Sequence, residues 1–158
     1  MHPTAKKVAD AARQLGLPVE IKEFAAGTRT AQDAAAAVGC QVAQIVKSLL
    51  FVVDGQPTMA LVSGSSRLDE KKLAALCGVG RKKVKRANAD IAREATGFAI
   101  GGVPPFGHAN PLPVYMDEDF FRFEVIWAAA GTPNAVFAVS PDDLARVTQA
   151  TIADLKAA

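Results

Sequence analysis

The chain has 158 residues, 50% of them hydrophobic, and a formal net charge of +2. This length and composition predict one globular domain over residues 1–158, and no apolar run approaches the roughly 18 to 20 residues of a membrane-spanning helix. The amino-terminal stretch lacks the apolar block of a signal peptide, so we expect a cytoplasmic protein with no membrane partner. Because the net charge is small, a nucleic-acid interpretation depends on where the basic residues lie.

The first third of the sequence predicts a helix, a strand and a second helix. Apolar residues recur at helical spacing over residues 4–15. The segment LPVEIKEF then alternates apolar and charged residues, as a half-buried strand does. Thr30 can cap a short alanine-rich helix that ends at Gly39.

The segments IVKSLLFVV and PTMALVSG predict an antiparallel hairpin. They flank Asp54 and Gly55, a pair suited to the positive φ angles of a tight turn. Lys47 is the one charged residue in the first segment, and a buried ammonium without a partner is costly. Lys47 therefore either extends from a sheet edge into solvent or serves a functional site.

The remaining elements complete a mixed pattern of helices and strands. They are, in order, a helix from Asp69 to Cys77, a basic strand or loop RKKVKRA, a helix from Asn88 to about Ala95, the strands VYMD, FRFEVIW and AVFAV, and a final helix SPDDLARVTQATIADL. Together they predict an α+β single domain with a mixed, largely antiparallel central sheet surrounded by helices.

Several common catalytic signatures are absent from the sequence. The segment VSGSSR does not form a GxSxG nucleophile motif, and no glycine loop of the nucleotide-binding type joins a strand to a helix. Cys40, Cys77, His2 and His108 have no spacing typical of metal ligands. We therefore expect neither a cofactor nor a metal ion.

The cluster TGFAIGGVPPFGH is rich in glycine and proline. Glycines allow close approach to the backbone, and prolines fix the conformation of the loop around them. Such a loop can bind a small ligand through backbone groups, or it can be a rigid connector. His108, at the end of the cluster, is either a proton carrier or a structural residue.

Four segments together resemble the YbaK/prolyl-tRNA editing domain family. They are IVKSLLF with Lys47, VSG followed by RLDEKKLA, ATGFAIGGVPPFGH with a GxxxP motif at Gly101 to Pro105, and LPVYMDED. The resemblance extends in order from about Ala31 to Leu144. It implies a central mixed sheet and a free-standing deacylase that hydrolyses the ester of mischarged tRNA, most typically tRNA for proline.

The resemblance also implies roles for individual residues. Lys47 would face a cleft and meet the negatively charged 3′ end of an aminoacyl-tRNA, and the loop backbone at Gly101 and Gly102 would complete the catalytic group. The implied substrate-binding residues are Pro105, His108, Gly131 and Asn134. Hydrolysis of an aminoacyl ester needs a positioned water and a stabilised oxyanion, so no protein nucleophile is required.

A basic run follows the third helix. Arg81, Lys82, Lys85 and Arg86 can contact phosphates of the tRNA acceptor stem, or they can form an ordinary solvated face. Prolyl-tRNA synthetase is a further candidate partner. The alternative function is a non-catalytic tRNA-binding or synthetase-associated module, and the sequence does not identify the amino acid that is removed.

Overall fold

The computed structural model describes residues 1–25 and 30–158. This part of the chain contains α1 (Pro3–Gln14), β1 (Ile21–Glu23), α2 (Ala31–Val38), β2 (Val46–Val53), β3 (Gln56–Ser63), α3 (Glu70–Cys77), β4 (Val84–Arg86), α4 (Ala89–Thr96), β5 (Val114–Asp117), β6 (Ile126–Ala129), β7 (Ala135–Val139), α5 (Pro141–Thr148) and β8 (Thr151–Ala153). Short 3₁₀ helices lie at Val42–Gln44, Arg81–Lys83 and Glu118–Arg122. No described helix is long and apolar enough to cross a membrane.

The helix starts predicted from capping residues are confirmed. The Thr30 hydroxyl accepts a hydrogen bond from the Asp33 backbone N–H, and the Asp33 carboxylate accepts one from the Thr30 N–H, which is a complete capping box. Asp69, Asn88 and Ser140 cap α3, α4 and α5 by accepting hydrogen bonds from backbone N–H groups of the first turn, without the reciprocal bond of a capping box. Each of these starts is encoded locally, because donor and acceptor are two or three residues apart.

The strands form two sheets. A five-stranded sheet has the order β4-β2-β3-β5-β8, and a three-stranded antiparallel sheet has the order β1-β7-β6. In the larger sheet β2 pairs antiparallel with β3 and β4, whereas β5 pairs parallel with β3 and β8. Asp54 and Gly55 make the predicted turn with φ angles of 47° and 82°. The mixed α+β class is confirmed, with the strands divided between two sheets.

Two hydrophobic clusters explain why the first hairpin strand is almost wholly apolar. Val46 and Leu50 of β2 belong to the main core, which the helices α1, α4 and α5 cover. Phe51 and Val53 belong to a second cluster under α3. Successive side chains of a strand point to opposite faces, so β2 supplies buried residues to both clusters. The charge of Lys47 therefore needs a local explanation.

The end of the chain differs from its prediction. The final helix stops at Thr148, Gln149 adopts a left-handed conformation with φ 54°, and β8 follows in parallel pairing with β5. Leu155 is fully buried in the cluster under α3. The predicted continuation of the helix to residue 155 was wrong, because pairing with β5 and burial of Leu155 outweigh local helix propensity.

The strand predicted at FRFEVIW also begins later than expected. Asp117 caps a 3₁₀ helix at Glu118–Arg122, and Phe120 in this helix is fully buried. The strand β6 starts at Ile126. Alternating aromatic residues suggested a longer strand, but the side-chain cap of Asp117 turns the chain first.

Asp117 itself is fully buried at the end of β5. Its Oδ1 accepts a hydrogen bond from the Asp119 N–H at 3.4 Å, and its Oδ2 has no hydrogen-bond partner among the described residues. Burial raises the pKa of this carboxyl, with smaller opposing effects from backbone hydrogen bonds. The native state therefore binds a proton at Asp117 more tightly than the unfolded chain does.

We expect Asp117→Asn to stabilise the protein by about 1 kcal/mol at pH 7. A raised native pKa means that stability falls as pH rises from about 4, the unfolded value, through the native pKa. The gain should thus disappear below about pH 4, where the carboxyl is protonated in both states. Urea unfolding at several pH values measures it. Asp119→Asn, which breaks an ion pair with Lys156, should destabilise instead, and a stabilising effect of both variants would contradict this account.

Candidate functional site

A cavity of about 260 Å³ lies between the two sheets. Its walls come from β2, β6, the start of β7, the first turn of α2 and the loop before β5. The apolar lining residues include Ala31, Ala34, Val46, Ile100, Val103, Trp127, Ala128 and Val136, and the charged ones are Lys47 and Arg86. This volume is close to the roughly 300 Å³ lower limit of small-molecule sites, which suits an aminoacyl group better than a whole nucleotide.

The cavity exists because β2 is longer than its outer partner. The strand β4 pairs with β2 only at residues 51–53, and the Ala87 N–H donates to the Leu50 carbonyl just beyond it. At the other end of β2, Ile45 forms an isolated parallel bridge with Trp127 of the smaller sheet. The residues of β2 between these two contacts border the cavity, and Lys47 and Ser48 are among them.

Lys47 is half-buried on the wall of this cavity. Its Nζ donates to the backbone carbonyl of Ser66, and it forms no ion pair with a carboxylate in the described part of the chain. Burial lowers the pKa of Lys47, and the positive charges of Arg86 and then Arg67 lower it further. Lys47 is therefore a desolvated cation among other cations, and it does not simply extend into solvent.

Gly101 lies at the corner of a turn that reaches the same cavity. The Gly102 N–H donates to the Ala99 carbonyl at 3.2 Å, and Gly101 between them has a φ of 96°, as the third residue of a type II turn requires. Gly101 lines the cavity, and its own N–H has no hydrogen-bond acceptor among the described residues. Ile100, 54% exposed, adds an apolar rim beside it.

Gly102 is buried behind the turn and does not line the cavity. A Cβ at this position would lie 2.7 Å from the Thr132 Cα and 2.8 Å from the Gly131 carbonyl carbon and oxygen. These are backbone contacts that cannot yield by a side-chain rotation. Gly102 therefore holds two loops together, whereas the sequence suggested a direct place in the pocket. Pro105 is likewise buried and does not border the cavity.

His108 forms a hydrogen bond inside the glycine- and proline-rich loop. Its Nε2 is 2.7 Å from the Pro104 carbonyl oxygen, so the neutral imidazole donates its Nε2–H there. Burial lowers the pKa of His108, and the hydrogen bond to Pro104 opposes that effect in part. The residue does not line the cavity of Lys47. This geometry favours the structural interpretation of His108 over the proton carrier.

Gly131 and Asn134 lie on the far side of a turn. They line a second depression of about 480 Å³ together with Thr4 and Arg93. Pro133, between them, borders both this depression and the cavity of Lys47. The structure therefore does not bring Gly131 and Asn134 to the same cavity as Lys47, although both were predicted to bind the substrate there.

The basic run divides into three environments. Arg81 forms a 2.9 Å ion pair with Glu70, which neutralises part of its charge. Lys82 and Lys85 are exposed. Arg86 alone among these four lines the cavity, with its guanidinium 5.7 Å from the centre of the Phe51 ring. The run thus contributes one residue to the cavity and an exposed basic surface beside it.

The chemistry available in the cavity is the stabilisation of negative charge. None of the described residues that line it is Asp, Glu, His or Cys. In the described ranges, no three or more His, Cys, Asp or Glu residues form a group that could hold a metal ion. A lysine ammonium, an arginine guanidinium and a free backbone N–H are suited to bind an anion or a developing oxyanion.

The aminoacyl-tRNA editing domain model matches residues 25–147, which include every residue so far placed in the cavity. The chain belongs to this family. Editing domains hydrolyse the ester of a wrongly charged tRNA, so the protein is an aminoacyl-tRNA deacylase and aminoacyl-tRNA is its class of substrate. The resemblance inferred from the lysine strand and the GxxxP loop is confirmed.

Individual relatives agree with this membership. YwhH of Bacillus subtilis is 32% identical over 126 residues, 79% of this chain and 78% of that protein. EbsC of Enterococcus faecalis, named as a proposed Cys-tRNA(Pro)/Cys-tRNA(Cys) deacylase, is 28% identical over 127 residues, 80% and 76% of the two chains. A proline–tRNA ligase of a Geobacter species is 35% identical over 91 residues, 58% of this chain but 16% of the ligase.

A solved structure supports the fold over the whole chain. The crystal structure of a proposed trans-editing enzyme for prolyl tRNA synthetase superposes with a TM-score of 0.95 at 46% identity, covering 100% of this chain and 99% of that one. Such agreement extends beyond the residues of the family model to β8. The α+β editing-domain fold is therefore confirmed.

Sequence reasoning missed several residues of the editing cavity. Ile100 and Trp127 form its apolar rim and wall, and Ser48 follows Lys47 along β2. One signal was present, since Trp127 is the single tryptophan of the chain. Its strand, however, belongs to the smaller sheet, and nothing in the local sequence indicates that this sheet lies opposite β2.

Proposed function

We propose that this editing domain is a free-standing trans-editing deacylase of the cytoplasm that acts on mischarged tRNA for proline. The observation that carries the catalytic part is that one cavity is lined by Lys47 and by Gly101, whose N–H has no acceptor among the described residues. The choice of tRNA for proline as the substrate is supported by the names of EbsC and of the trans-editing enzyme, which refer to tRNA for proline and to prolyl tRNA synthetase. The similarity to proline–tRNA ligases supports it too. The same similarity suggests prolyl-tRNA synthetase as a partner.

In this proposal the aminoacyl group enters the cavity between the sheets. The Gly101 N–H donates to the ester carbonyl oxygen and stabilises the oxyanion that forms when water attacks. The Lys47 ammonium holds the negatively charged 3′ end and adds to the positive potential around the ester. Water is the nucleophile, and the alcohol that leaves is a ribose hydroxyl of the tRNA, so no covalent enzyme intermediate is needed.

The roles of the other predicted residues follow from their positions. Gly102, Pro105 and His108 support the turn that presents Gly101, and we propose that they act through it. Gly131 and Asn134 would influence the cavity through Pro133, which lies between them. We do not assign these five residues a direct contact with the reacting ester.

A panel of mischarged tRNAs tests the proposal directly. Transfer RNA for proline carrying alanine, cysteine, serine or threonine, and correctly charged prolyl-tRNA, should be compared under the same conditions. We expect at least one mischarged tRNA for proline to lose its amino acid well above the spontaneous rate. Binding of tRNA without faster hydrolysis of any aminoacyl ester would favour the non-catalytic tRNA-binding module. Faster hydrolysis of another mischarged tRNA would contradict the proposed specificity for tRNA for proline.

The exposed basic surface yields a separate prediction. Neutralising Lys82 and Lys85 by glutamine should weaken tRNA binding and flatten its salt dependence by about one unit of logarithmic slope or less per lost phosphate contact. Hydrolysis of a minimal aminoacyl ester should hardly change. Arg81→Gln is the matched control, since Glu70 already neutralises part of its charge and its effect should be smaller. An unaltered salt slope in the double variant would mean an ordinary solvated face.

A further inference from the structure

Arg67 is the first residue of the RLDEKKLA segment, but neither the family resemblance nor the proposed chemistry gives it a role. It is exposed in the loop between β3 and α3. Its backbone carbonyl accepts a 2.7 Å hydrogen bond from the Ala157 N–H, which ties this loop to the end of the chain. Its guanidinium forms no ion pair with any described carboxylate. The loop position is thus fixed by backbone contacts, while the charge of the side chain remains available.

Three cations lie near the place where this loop passes β2. The carbonyl that accepts from the Lys47 ammonium belongs to Ser66, the residue before Arg67. Arg86 of β4 pairs with Phe51 of β2. Lys47 precedes Phe51 by four residues in β2, so the two side chains point to the same face of the strand. Lys47 and Arg86 both line the cavity, Arg67 follows the residue whose carbonyl binds Lys47, and the positive charges of both arginines act on Lys47.

No acidic residue of the described chain forms an ion pair with this group of cations. None of the three cations forms an ion pair within the described chain, and the charges of Arg86 and Arg67 both lower the pKa of Lys47. Like charges at close range repel, and half-burial of Lys47 strengthens the repulsion because there is less water to screen it. A bound anion would relieve all three charges at once, so the arrangement is that of an anion site.

We propose that Arg67, with Lys47 and Arg86, binds the phosphodiester that links the last two nucleotides of the tRNA. This inference rests on the proposed function, because it takes the ester to lie at Gly101. The aminoacyl ester is on the terminal ribose, and the phosphate nearest to it is the one on the 5′ side of that ribose. A guanidinium can donate two parallel hydrogen bonds to the two free oxygens of a phosphodiester.

Two small substrates isolate this contact. One is the 3′-aminoacyl ester of adenosine, and the other is the same ester carrying a methyl phosphate on its 5′ oxygen, which keeps the single negative charge of a phosphodiester. The wild-type protein should hydrolyse the second with a kcat/KM about tenfold higher. Arg67→Gln should remove most of that preference while leaving hydrolysis of the uncharged ester within about twofold. Arg67→Lys should recover part of the preference, since it restores the charge without the two-pronged donor.

Lys71→Gln is the matched control, because Lys71 is an exposed lysine of α3 whose side chain forms no hydrogen bond or ion pair with the described residues and lies only four residues from Arg67. It should keep the full preference for the phosphate. A second readout does not need turnover: Trp127 is the single tryptophan and lines the cavity, so its fluorescence reports binding of adenosine 5′-methyl phosphate. Arg67→Gln should weaken this binding by about tenfold relative to wild type and Lys71→Gln.

The outcomes separate this inference from the proposed function. If wild type hydrolyses both small esters equally and Arg67→Gln binds the nucleotide like wild type, the phosphate site is overturned while the deacylase stands. If no ester is hydrolysed but binding still depends on the phosphate and on Arg67, the anion site stands and the proposed function fails. Equal losses on both esters in Arg67→Gln would overturn the inference, because they would indicate a structural role for the loop.

Discussion

Replacing Lys47 by alanine is expected to lower kcat/KM for deacylation by about 100-fold. The ammonium is half-buried on the wall of the editing cavity, where burial and two guanidinium groups already lower its pKa. Burial and like charges make this ammonium energetically unfavourable in the free protein. We propose that its interaction with the negatively charged end of the substrate offsets this unfavourable energy. The measurement is single-turnover deacylation of the best mischarged tRNA.

The fold of the Lys47→Ala variant should remain intact. The side chain makes one hydrogen bond, to the Ser66 carbonyl, and removing a desolvated cation beside Arg67 and Arg86 relieves repulsion. Circular dichroism and thermal unfolding should therefore show a midpoint within a few degrees of wild type. Lys71→Ala, which removes an exposed lysine on α3, is the control and should deacylate at the wild-type rate. A folded Lys47→Ala protein with wild-type turnover would exclude Lys47 from catalysis.

The second large effect is expected for Gly102→Val. A side chain at this buried position meets the Thr132 Cα at 2.7 Å and the Gly131 carbonyl at 2.8 Å, so the two loops must separate. We expect a loss of about 3 kcal/mol in the free energy of unfolding, since backbone atoms cannot move aside as a side chain can. For a chain of this size the melting midpoint should fall by roughly 6 to 12 °C.

Activity should fall together with stability in Gly102→Val. Separation of the loops shifts both the Gly101 turn and Pro133, and both border the cavity. Gly80→Val is the matched control, because a Cβ there meets nothing within 4 Å and its φ of −73° suits any residue. Gly101→Ala separates backbone strain from steric conflict. An alanine held at a φ of 96° should lower the free energy of unfolding by about 1 kcal/mol, and its Cβ would meet no backbone atom at close range. A Gly102→Val protein as stable and active as Gly80→Val would contradict this packing.

The sequence determined the features that depend on near neighbours along the chain. The Asp54–Gly55 turn, the capping box at Thr30 and the side-chain caps of α3, α4 and α5 all involve residues within three positions of one another. Their energies hardly depend on the rest of the fold. The same holds for the almost wholly apolar β2, whose pattern already indicates burial on both faces.

Local rules failed where a distant partner outweighs propensity. The segment after Gln149 is a strand because β5 offers it a free edge and the cluster under α3 buries Leu155. The strand expected from Phe121 yields to the cap of Asp117, which lies at the end of β5. In both places a plausible local pattern competes with contacts that only the assembled sheet provides.

The functional site shows the same division at a larger scale. The sequence identified Lys47 and Gly101 because an isolated charge in an apolar strand and a glycine-rich loop are local patterns. Only the tertiary structure decided that these two share a cavity, that Asn134 lies on the other side of the Pro133 turn, and that the loop of Arg67 passes next to Lys47. Proximity across two sheets depends on which strands pair and where β4 ends, and pairing between segments far apart in the chain is specified by the whole core, not by any one segment.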